Sequence, residues 1–594
     1  MNISIDEATR HYNAGRLADA IAACRTLLQQ DAANGRALNL LGVALASSGD
    51  ADAAEDILSA AVRAAPGDLS ALTNLAVLRL RRHNRAAAER ALRRLAVLDP
   101  ASAIPYSRLG TVWQETGDLD RSLAALRRAA ALNPASGLER YNLGMLRLLT
   151  GDYPAAVRAM RDAAADNPGG PLPHAQLGEV LLRLGRPDEA AVSFRRALRI
   201  DPNHPEAARG LARHGRYGAA ASLSGGEPGG LVMRGAFGRT TGYGHFCQRL
   251  ILTLRARRVP LQAIGIFGPE SWPSEPLDRP VPARALVNCL IPLAVERVPG
   301  LATVTFTMFE GPRIPVAWRR QSESSDLVVV PTESSRLAWA AQGFPEHRLR
   351  VCPLGVDPVG DGPCVPPTLV DPNGRRVSDF RHRFLNISDF VPRKNIDGLL
   401  RVWLRATRHD DDAVLILKLG KGDDRGMMPD LAALVRLAER TVGKRLAEAA
   451  PVVLIDRRLD DAEMSGLYRA ATHYWSLSHG EGWDLPMSTA GAMGLGLIAP
   501  RHSAYLDYLD DRTARLIPST IGPALLPGDE GFYPPFHGLD WWNPDEDAAA
   551  AILAGIIHGG DRLPSASAPL LERFTWERAA DRLLAILDEA GLRR

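Results

Sequence analysis

Two stretches of the sequence carry most of its chemical information: residues 384–396, FLNISDFVPRKNI, and residues 478–494, SHGEGWDLPMSTAGAMG. In the first, an apolar run ends at a proline that is followed by two adjacent cations, Arg393 and Lys394. In the second, a lone carboxylate, Glu481, lies in a glycine-rich loop. Both patterns place charged side chains directly after a segment that can be buried.

A helix is predicted to begin inside the second stretch. Asp484 is a good N-cap, and Pro486 is tolerated in the first turn of a helix. The unpaired N–H groups and the dipole of a helix N-terminus favour negative charge, and fixed cations add to this effect. We therefore expect the two stretches to form one anion site, which we interpret as holding the diphosphate of a sugar nucleotide.

The chain as a whole has the composition of a globular protein. Its 594 residues are too many for one hydrophobic core, so about three or four domains are expected. Apolar residues make up 46% and charged residues 23% of the chain, and the net charge is only +3. Neither this charge nor any basic run indicates nucleic acid as a partner.

The cysteines and the N-terminus bear on the compartment. No two cysteines have CxxC spacing, so zinc or thioredoxin-type chemistry is not expected. A sparse, odd number suits a reducing compartment, and neither an apolar signal core nor an apolar stretch of about 18 residues is present. We therefore expect a cytoplasmic protein with no integral membrane segment. The cysteines are Cys24, Cys247, Cys289, Cys352 and Cys364.

Residues 1–204 repeat six times with a period of 34 residues. Leucine followed by a small residue recurs at Leu41-Gly42, Leu75-Ala76, Leu109-Gly110, Leu143-Gly144 and Leu177-Gly178. A turn glycine recurs at Gly15, Gly49, Gly117, Gly151 and Gly185, with His83 in the third copy. Larger apolar residues follow at Cys24, Leu58, Leu92, Leu126, Met160 and Phe194. Small residues allow paired helices to approach closely, and glycine permits the turn between them.

This pattern resembles the tetratricopeptide repeat, which implies an all-α superhelix whose concave face binds extended partners. Residues 205–222 are predicted to form a capping helix, and residues 222–230, SLSGGEPGG, a flexible linker. We therefore assign residues 1–204 to the repeats and residues 205–229 to the helix and linker.

The sixth position of four repeats carries a polar side chain. Amides repeated along a groove can pair with both the N–H and the C=O of an extended peptide. This arrangement resembles the asparagine ladder of protein O-linked N-acetylglucosamine transferases and would form an acceptor-binding groove. Alternatively, these are ordinary polar residues on an exposed helix face. The residues are Asn74, Arg108, Asn142 and Gln176.

From Gly230 onwards, short apolar runs alternate with amphipathic helices, which is typical of open α/β sheets. Strands are predicted at residues 231–237, 261–267, 302–308 and 327–331. The first is followed by a turn containing Gly238, Gly242 and Gly244 and then by a helix, a geometry that can approach a phosphate or a sugar closely. A tight turn without a ligand is the alternative.

Glu310 follows the third of these strands. Open α/β sheets bind their ligands at the carboxyl ends of the strands, so Glu310 is a candidate active-site residue. The alternative is an ordinary charge on a surface loop.

Several longer segments resemble glycosyltransferases of family 4, which have the GT-B fold. They are residues 326–358, residues 384–403, residues 452–500 and, at the C-terminus, residues 574–587. The resemblance implies two Rossmann-like lobes: an acceptor lobe at residues 230–370, a donor lobe at residues 371–570, and a closing helix at residues 571–594.

The resemblance also implies roles for individual residues. Arg393 and Lys394 would contact the donor diphosphate and stabilise it as a leaving group without a metal, and Glu481 would lie close to the sugar. No DxD motif follows a suitable strand, since the pattern at residues 410–412 is typical of a polar loop, so we expect neither a metal nor a cofactor. The implied catalytic residues are Glu481, Glu310 and Lys394. The implied donor contacts are Arg393, Lys394, Glu481, Gly482, Trp483, Leu485, Thr489, Gly242 and Gly244.

Two positions depart from the family. Ser388-Asp389 replaces a common Gly-Arg pair, which removes one positive charge near the diphosphate. Thr489 stands where a second glutamate usually holds the ribose, and a hydroxyl offers one oxygen and no charge. A weaker or altered grip on the ribose is expected.

The sequence thus favours a retaining protein glycosyltransferase that moves a sugar from a nucleotide donor to Ser or Thr of a protein held by the repeats. Such fusions resemble bacterial flagellin glycosyltransferases. One alternative is the same chemistry on a glycan or lipid acceptor. Another is a scaffold whose transferase module has decayed, for which Asp389 and Thr489 are the motivation.

Overall fold

The computed structural model describes residues 4–82, 84–222, 229–237, 241–266, 279–357, 369–420, 427–527 and 531–593, with the backbone alone for residues 216–222. Most of the predicted linker, His83, Gly238 and Cys364 lie outside the described residues. No helix within the described ranges is long and apolar enough to cross a membrane.

The N-terminal region is all-helical, as predicted. Its helices are α1 (Ile5–Asn13), α2 (Leu17–Gln30), α3 (Gly35–Ser48), α4 (Ala51–Ala64), α5 (Leu69–Arg81), α6 (Arg85–Leu98), α7 (Ile104–Glu115), α8 (Leu119–Leu132), α9 (Gly137–Leu149), α10 (Tyr153–Asp166), α11 (Pro171–Arg183), α12 (Pro187–Ile200) and α13 (Pro205–Ser222). The predicted turn glycines have φ angles from 70° to 95°, a left-handed conformation that glycine adopts without strain.

The Leu-Gly pairs mark the contact between the two helices of a repeat. A Cβ on Gly42 would lie 2.5 Å from the Leu58 side chain, and a Cβ on Gly110 would lie 2.6 Å from that of Leu126. The same close contact joins Gly178 to Phe194 at 2.5 Å. The predicted small and large positions therefore pack directly against each other in these repeats.

Replacing Gly110 with leucine is expected to destabilise this pair of helices. The added carbons would occupy space that Leu126 already fills, and overpacking of this kind costs about 1–3 kcal/mol. Hydrogen exchange of α7 and α8 measures the loss of protection. Gly67→Leu is the control, because a Cβ at Gly67 meets nothing within 4 Å; equal loss in both variants would contradict the prediction.

The chain divides into two compact units, Met1–Leu148 with Pro154–Pro173, and Leu149–Tyr153 with His174–Arg594. Most of α11 and all of α12 and α13 therefore belong to the same unit as the sheets. The predicted domain boundaries were drawn from the register of the repeats and from the family resemblance. The division into compact units uses a different criterion and does not test them, so the boundaries stay predictions.

A buried ion pair ties the capping helix to the first sheet. Glu296, which is 1% exposed, accepts from Arg234 Nη2 at 2.6 Å and lies 3.3 Å from Arg213 Nη1. Arg213 is on α13, and Arg234 is on the strand β1 (Gly230–Gly235). Since breaking a buried ion pair is costly, this contact fixes the capping helix on the α/β region.

The first sheet is entirely parallel and has the order β2-β1-β3-β4-β5-β6. Its elements are β1, α14 (Gly242–Ala256), β2 (Leu261–Gly265), β3 (Ala283–Cys289), β4 (Ala302–Phe306), α15 (Val316–Ser322), β5 (Leu327–Val330), α16 (Glu333–Ala341) and β6 (Leu349–Val351). Each of the four predicted strands has a counterpart here, and β3 and β6 were not predicted.

The second large sheet is also parallel, with the order β12-β11-β10-β7-β8-β9. Its elements are β7 (His382–Ser388), α17 (Ile396–Ala406), β8 (Ala413–Leu419), α18 (Met427–Val442), β9 (Val452–Ile455), α19 (Asp461–Ala470), β10 (His473–Trp475), α20 (Leu485–Ala492), β11 (Gly496–Pro500), α21 (Tyr505–Tyr508) and β12 (Arg515–Ile517). The chain ends with β13 (Ser519–Pro523), β14 (Asp540–Pro544), α22 (Glu546–Gly559), α23 (Ser567–Arg573) and α24 (Trp576–Glu589).

Two elements from the C-terminal part pack onto the first sheet. The hairpin β13–β14 and its connection contribute Phe536 and Trp541 to a core cluster with Phe309 and Trp339. The closing helix α24 contributes Trp576 to the core beneath α14. Both contacts hold the two sheets together around the space between their carboxyl edges.

Candidate functional site

The candidate site lies at the carboxyl ends of β7 and β10. In the second sheet, β7 is the first strand along the chain; β8 lies on one side of it and β10 on the other. The strand order therefore reverses between β7 and β10, and such a switch point leaves a crevice where open α/β sheets bind ligands. Arg393 and Lys394 follow β7, and Glu481 follows β10.

The two cations contact the same carboxylate. Lys394 Nζ donates to Glu481 Oε1 at 2.6 Å, and Arg393 Nη1 lies 3.1 Å from Glu481 Oε2. The Glu481 side chain is 6% exposed, and those of Lys394 and Arg393 are 13% and 16% exposed. The structure thus brings together three predicted residues, although Lys394 and Glu481 are 87 residues apart along the chain.

The first sheet adds a second carboxylate. Glu310, which follows β4, places Oε1 3.5 Å from Arg393 Nη2. Arg393 therefore lies between a carboxylate from each sheet. The largest single influence on its pKa is burial, which lowers it, but Glu310 and Glu481 together outweigh burial and raise the pKa above its ordinary value. The guanidinium remains charged.

Two glycines allow the loop after β10 to touch the end of β4. A Cβ on Gly480 would lie 1.8 Å from the carbonyl oxygen of Glu310, and a Cβ on Gly482 would lie 2.6 Å from Met308 Cγ. Any other residue at Gly480 would have to push backbone away. The glycine-rich character of this loop therefore comes from the close approach of the two sheets at the site.

Hydrogen bonds join the two charged loops to each other. The His479 N–H donates to the Arg393 carbonyl at 2.8 Å, and the Ser478 hydroxyl donates to the same oxygen at 3.2 Å. Arg393 Nη1 in turn donates to the Gly480 carbonyl. Asn395 has a left-handed φ of 53° and caps α17 by accepting from the Gly398 N–H. Hydrogen bonds at Arg393 and at Asn395 therefore fix the backbone on either side of Lys394.

Burial and charge act in opposite directions on Glu481. Burial raises its pKa, but Lys394 and then Arg393 lower it more, so the pKa falls to about 2. Its N–H also donates to the Ser503 hydroxyl at 3.1 Å, which fixes the backbone. The carboxylate stays ionised at neutral pH. Its contribution to stability is present above the unfolded pKa of about 4.3 and is lost as the pH falls towards 2.

Asp484 was predicted as the N-cap of the following helix, and the structure confirms this. Asp484 Oδ1 accepts from the Met487 N–H at 3.2 Å, and Oδ2 accepts from the Tyr505 hydroxyl at 2.8 Å. Its φ of 63° is left-handed. Burial, and then the charge of Glu481, raise the pKa of Asp484 to about 6. This carboxyl is the second titratable group beside the cations, and no sequence pattern indicated its altered pKa.

Asp484→Asn is expected to stabilise the protein at pH 8 by roughly 2 kcal/mol and to have no such effect at pH 4. In the folded protein Asp484 keeps its proton to about pH 6, whereas an unfolded chain releases it near 3.9. Stability therefore falls as the pH rises from about 4 to 6 and then levels off, and asparagine removes that fall while still capping the helix. Denaturant unfolding at both pH values measures it.

Asp545→Asn is the matched control, since Asp545 is an exposed N-cap that accepts from Asp547 and Ala548. The same gain at pH 4 and pH 8 in Asp484→Asn would contradict the prediction.

Sequence reasoning missed the aromatic side of the site. The His479 ring stacks on Trp541 of β14 at 3.9 Å between centroids, and the His502 ring stacks on Trp542 at 5.0 Å. The Trp542 N–H donates to the His479 carbonyl at 3.1 Å. Burial lowers the pKa of His479 to about 4 and that of His502 to about 3, so both rings are neutral at pH 7. The WW dipeptide at residues 541–542 was the available signal.

The remaining predicted donor residues are not all at the charged cluster. Trp483 is 2% exposed, packs against Tyr508 and Phe574, and donates to the Ser488 hydroxyl at 3.2 Å. Leu485 is half-buried against the same core, and Thr489 lies half-buried on α20. Trp483 therefore has a clear structural role in the core; the donor contacts of Trp483, Leu485 and Thr489 stay predictions.

The predicted turn after β1 is only partly described. Gly242 and Gly244 form the first turn of α14, where Thr241 caps the helix by accepting from the Gly244 N–H at 3.0 Å. A Cβ on Gly242 would meet nothing within 4 Å. The described part of this turn does not require a ligand, and the two glycines stay candidate donor contacts.

The predicted acceptor residues differ in their surroundings. Asn74 Nδ2 donates to Asn39 Oδ1 at 2.9 Å, and Gln176 Nε2 donates to Glu206 Oε2 at 3.1 Å. Arg108 is exposed, and Asn142 is half-buried. Two of the four side chains thus have partners within the protein, and a peptide would have to compete with them. The groove stays a prediction.

Three further features bear on the chemistry of the charged cluster: groups that could bind a metal, surface cavities, and the loop of residues 410–412. Among the described residues, no group of three or more His, Cys, Asp or Glu could hold a metal ion. Two surface cavities of about 420 and 480 Å³ border Arg573, and neither is lined by the charged cluster. In the loop of residues 410–412, Asp412 forms an ion pair with Arg375 at 2.6 Å, and Asp411 lies 2.9 Å from the His558 ring.

Comparison with protein families identifies the N-terminal region. A tetratricopeptide repeat family matches residues 5–68, 108–171, 141–205 and 175–223. The N-terminal region of this chain consists of tetratricopeptide repeats. These matches cover most of the helices that the 34-residue period predicted, with α5 and α6 outside them, and the last match includes the capping helix α13. Tetratricopeptide repeats stack so that their concave faces can bind other polypeptides.

Several solved structures are similar to part of the chain. MamA is 26% identical, with a TM-score of 0.27, and the match covers 27% of this chain and 95% of MamA. A thermophilic tetratricopeptide protein from Thermus thermophilus, TTC0263, is 25% identical, with a TM-score of 0.25 and coverage of 30% and 98%. YrrB, a tetratricopeptide protein with an unusual peptide-binding site, is 17% identical, with a TM-score of 0.29 and coverage of 31% and 96%. No curated protein matches the chain.

Proposed function

We propose that the α/β region is a glycosyltransferase that moves a sugar from a nucleotide-sugar donor to Ser or Thr of a protein recruited by the tetratricopeptide repeats. The observation that carries this proposal is the buried cluster of Arg393, Lys394 and Glu481 at a strand-order switch point. Paired cations at such a point suit a ligand that carries two phosphates.

The topology supports a two-lobed GT-B arrangement. Counted from β7, the second sheet has the order 3-2-1-4-5-6, which is that of nucleotide-binding doubly wound sheets. The first sheet is parallel as well, and its Glu310 reaches Arg393 across the space between the sheets. The closing helix α24 returns from the second sheet to pack on α14 of the first. A donor would then lie between the two carboxyl edges.

Each charged residue has a distinct role in this proposal. Arg393 and Lys394 offset the negative charge that develops on the departing diphosphate, which is where fixed charges accelerate a reaction most. Glu481 lies beside the sugar, and Glu310 faces it from the acceptor side. Metal independence and retention of anomeric configuration follow from the family resemblance and are part of the proposal.

The repeats supply the acceptor side. Their last helices are joined to the first sheet through Glu296, and the Arg183 side chain donates to the Leu293 carbonyl at 2.9 Å. A polypeptide bound by these helices would therefore be held by the same compact unit as the charged cluster. This supports a protein acceptor over a glycan or a lipid.

The test has two stages. Calorimetric titration of the full chain with a panel of nucleoside diphosphates and CMP should give saturable binding of one nucleotide and thereby name the donor base. Incubation of the matching sugar nucleotides with proteins that co-purify with the chain should then add the mass of one sugar to Ser or Thr. A folded chain that binds none of the panel would overturn the transferase and favour a protein-binding scaffold.

A further inference from the structure

The two cations of the proposed anion site pair with a side chain of the protein itself. Glu481 gives one carboxylate oxygen to Lys394 and the other to Arg393, at 2.6 and 3.1 Å. Both cations are mostly buried, and so is the carboxylate. An anion that binds both cations therefore competes with this carboxylate for them.

Besides the two cations, the Ser478 side chain hydrogen-bonds the Glu481 carboxylate. The Glu481 N–H is fixed by Ser503, and the neighbouring Gly480 and Gly482 are pressed against Glu310 and Met308, so the main chain has little freedom to move. Release of the cations therefore requires rotation of the Glu481 side chain alone. Protonation cannot cause it near neutral pH, since Lys394 and Arg393 keep the pKa of Glu481 far below 7. Competition by another anion is the remaining route.

We propose that Glu481 is a specificity-determining residue: it acts as an internal competitor that a ligand with two phosphate groups displaces and a ligand with one does not. A single phosphate group has to serve both cations from one anionic centre, as the carboxylate that it would replace does. A diphosphate gives each cation its own anionic group, so the Coulomb energy of the exchange favours it. The inference rests on the proposed donor site. It goes beyond that proposal because it gives Glu481 a role in selecting the ligand, in addition to the proposed position beside the sugar.

Glu481→Gln isolates this role when the probe lacks the sugar to be transferred. Inorganic pyrophosphate, inorganic phosphate and the nucleoside di- and monophosphates lack the sugar that Glu481 would contact, so only the competition is measured. Calorimetric titration of the full chain is expected to show pyrophosphate binding about tenfold tighter in Glu481→Gln than in the wild type, as when one charge-assisted contact no longer has to be broken. The preference for pyrophosphate over phosphate should shrink.

Two further variants support the comparison. Glu481→Asp keeps the charge but is one methylene shorter, so it cannot span both cations as well and should give an intermediate affinity; it also serves if Glu481→Gln does not fold. Glu546→Gln is the matched control, because Glu546 pairs with Arg401 at 2.6 Å elsewhere on the second sheet and should leave pyrophosphate binding unchanged.

The outcomes separate this inference from the proposed function. Nucleotide binding by the wild type that Glu481→Gln leaves equal or weaker would overturn the internal competitor and keep the donor site. Tighter pyrophosphate binding in Glu481→Gln with no nucleotide bound by any variant would keep the competitor and overturn the donor site. Absence of both effects would overturn both.

Discussion

Lys394→Ala is expected to weaken binding of the preferred nucleoside diphosphate by about a hundredfold or more. Truncating one partner of a buried, hydrogen-bonded charge pair typically costs roughly 2–5 kcal/mol of binding free energy. The Lys394 ammonium group donates to Glu481, and the next residue, Asn395, caps α17, so alanine at position 394 leaves the cap in place. Calorimetric titration of the purified full chain measures the effect, and transfer of the sugar should be lost with it.

Two controls show whether the loss is specific. Lys444→Ala removes another half-buried lysine of the second sheet, one that donates to the carbonyls of Leu404 and Thr407, and should leave nucleotide affinity unchanged. The double variant Lys394→Ala with Glu481→Gln removes both buried charges together and so avoids leaving a carboxylate with fewer partners. It should fold like the wild type and still fail to bind. Wild-type affinity in either form of Lys394→Ala would contradict the donor site.

The repeats were predictable because their determinants are local and periodic. A turn glycine, a Leu-Gly pair and a larger apolar residue recur at fixed spacing, and each makes its contact within one repeat, as Gly110 does with Leu126. Six copies of one pattern reinforce each other. The 34-residue period could not predict where the chain divides into compact units. The repeat pattern is the same on both sides of that division, in Gly137–Leu149 and in the helices near it.

The site was predictable in part for a different reason. Charged residues that directly follow two buried strands of a parallel sheet must meet at one edge, so Arg393, Lys394 and Glu481 could be grouped without coordinates. Their mutual ion pairs could not be derived, since the side-chain contacts depend on how Asn395 and Ser503 turn the two loops. The resemblance to family 4 glycosyltransferases indicated which charged residues to group. The packing of the two loops determines which of their charged atoms form pairs.

The missed strand β3 shows the limit of apolar patterning. Residues 283–289, ARALVNC, contain Arg284 and Asn288, whereas a strand buried on both faces is expected to be nearly all apolar. Asn288 is buried and still satisfied, because its side chain accepts from Arg234 at 3.2 Å and donates to the Glu296 carbonyl. The polar residue belongs to the network that holds the capping helix, and that network is visible only when distant parts of the chain are assembled.

Gly480→Ala is expected to separate the two carboxyl edges at the site and to slow transfer about a hundredfold. The new Cβ would lie 1.8 Å from the Glu310 carbonyl oxygen, a backbone atom that cannot rotate away, so the loop after β10 or the end of β4 must move. Overpacking of this kind costs about 1–3 kcal/mol of stability. The larger effect is on geometry, because a shift of about 1 Å between catalytic groups can cost about a hundredfold in rate.

The affected contacts make this variant diagnostic. The Gly480 carbonyl accepts from Arg393, and the adjoining His479 carbonyl accepts from the Trp542 N–H. A shift of this loop would therefore displace both the Arg393 side chain and the β13–β14 hairpin. Trp541 and Trp542 fluorescence should report the shift. Gly559→Ala is the control for stability alone, since its Cβ would meet only the Asp561 carboxylate, at an ordinary contact distance of 3.9 Å. If Gly480→Ala transfers sugar at the wild-type rate, the approach of the two sheets at Glu310 is not part of the catalytic arrangement, and the donor must react elsewhere along the cleft.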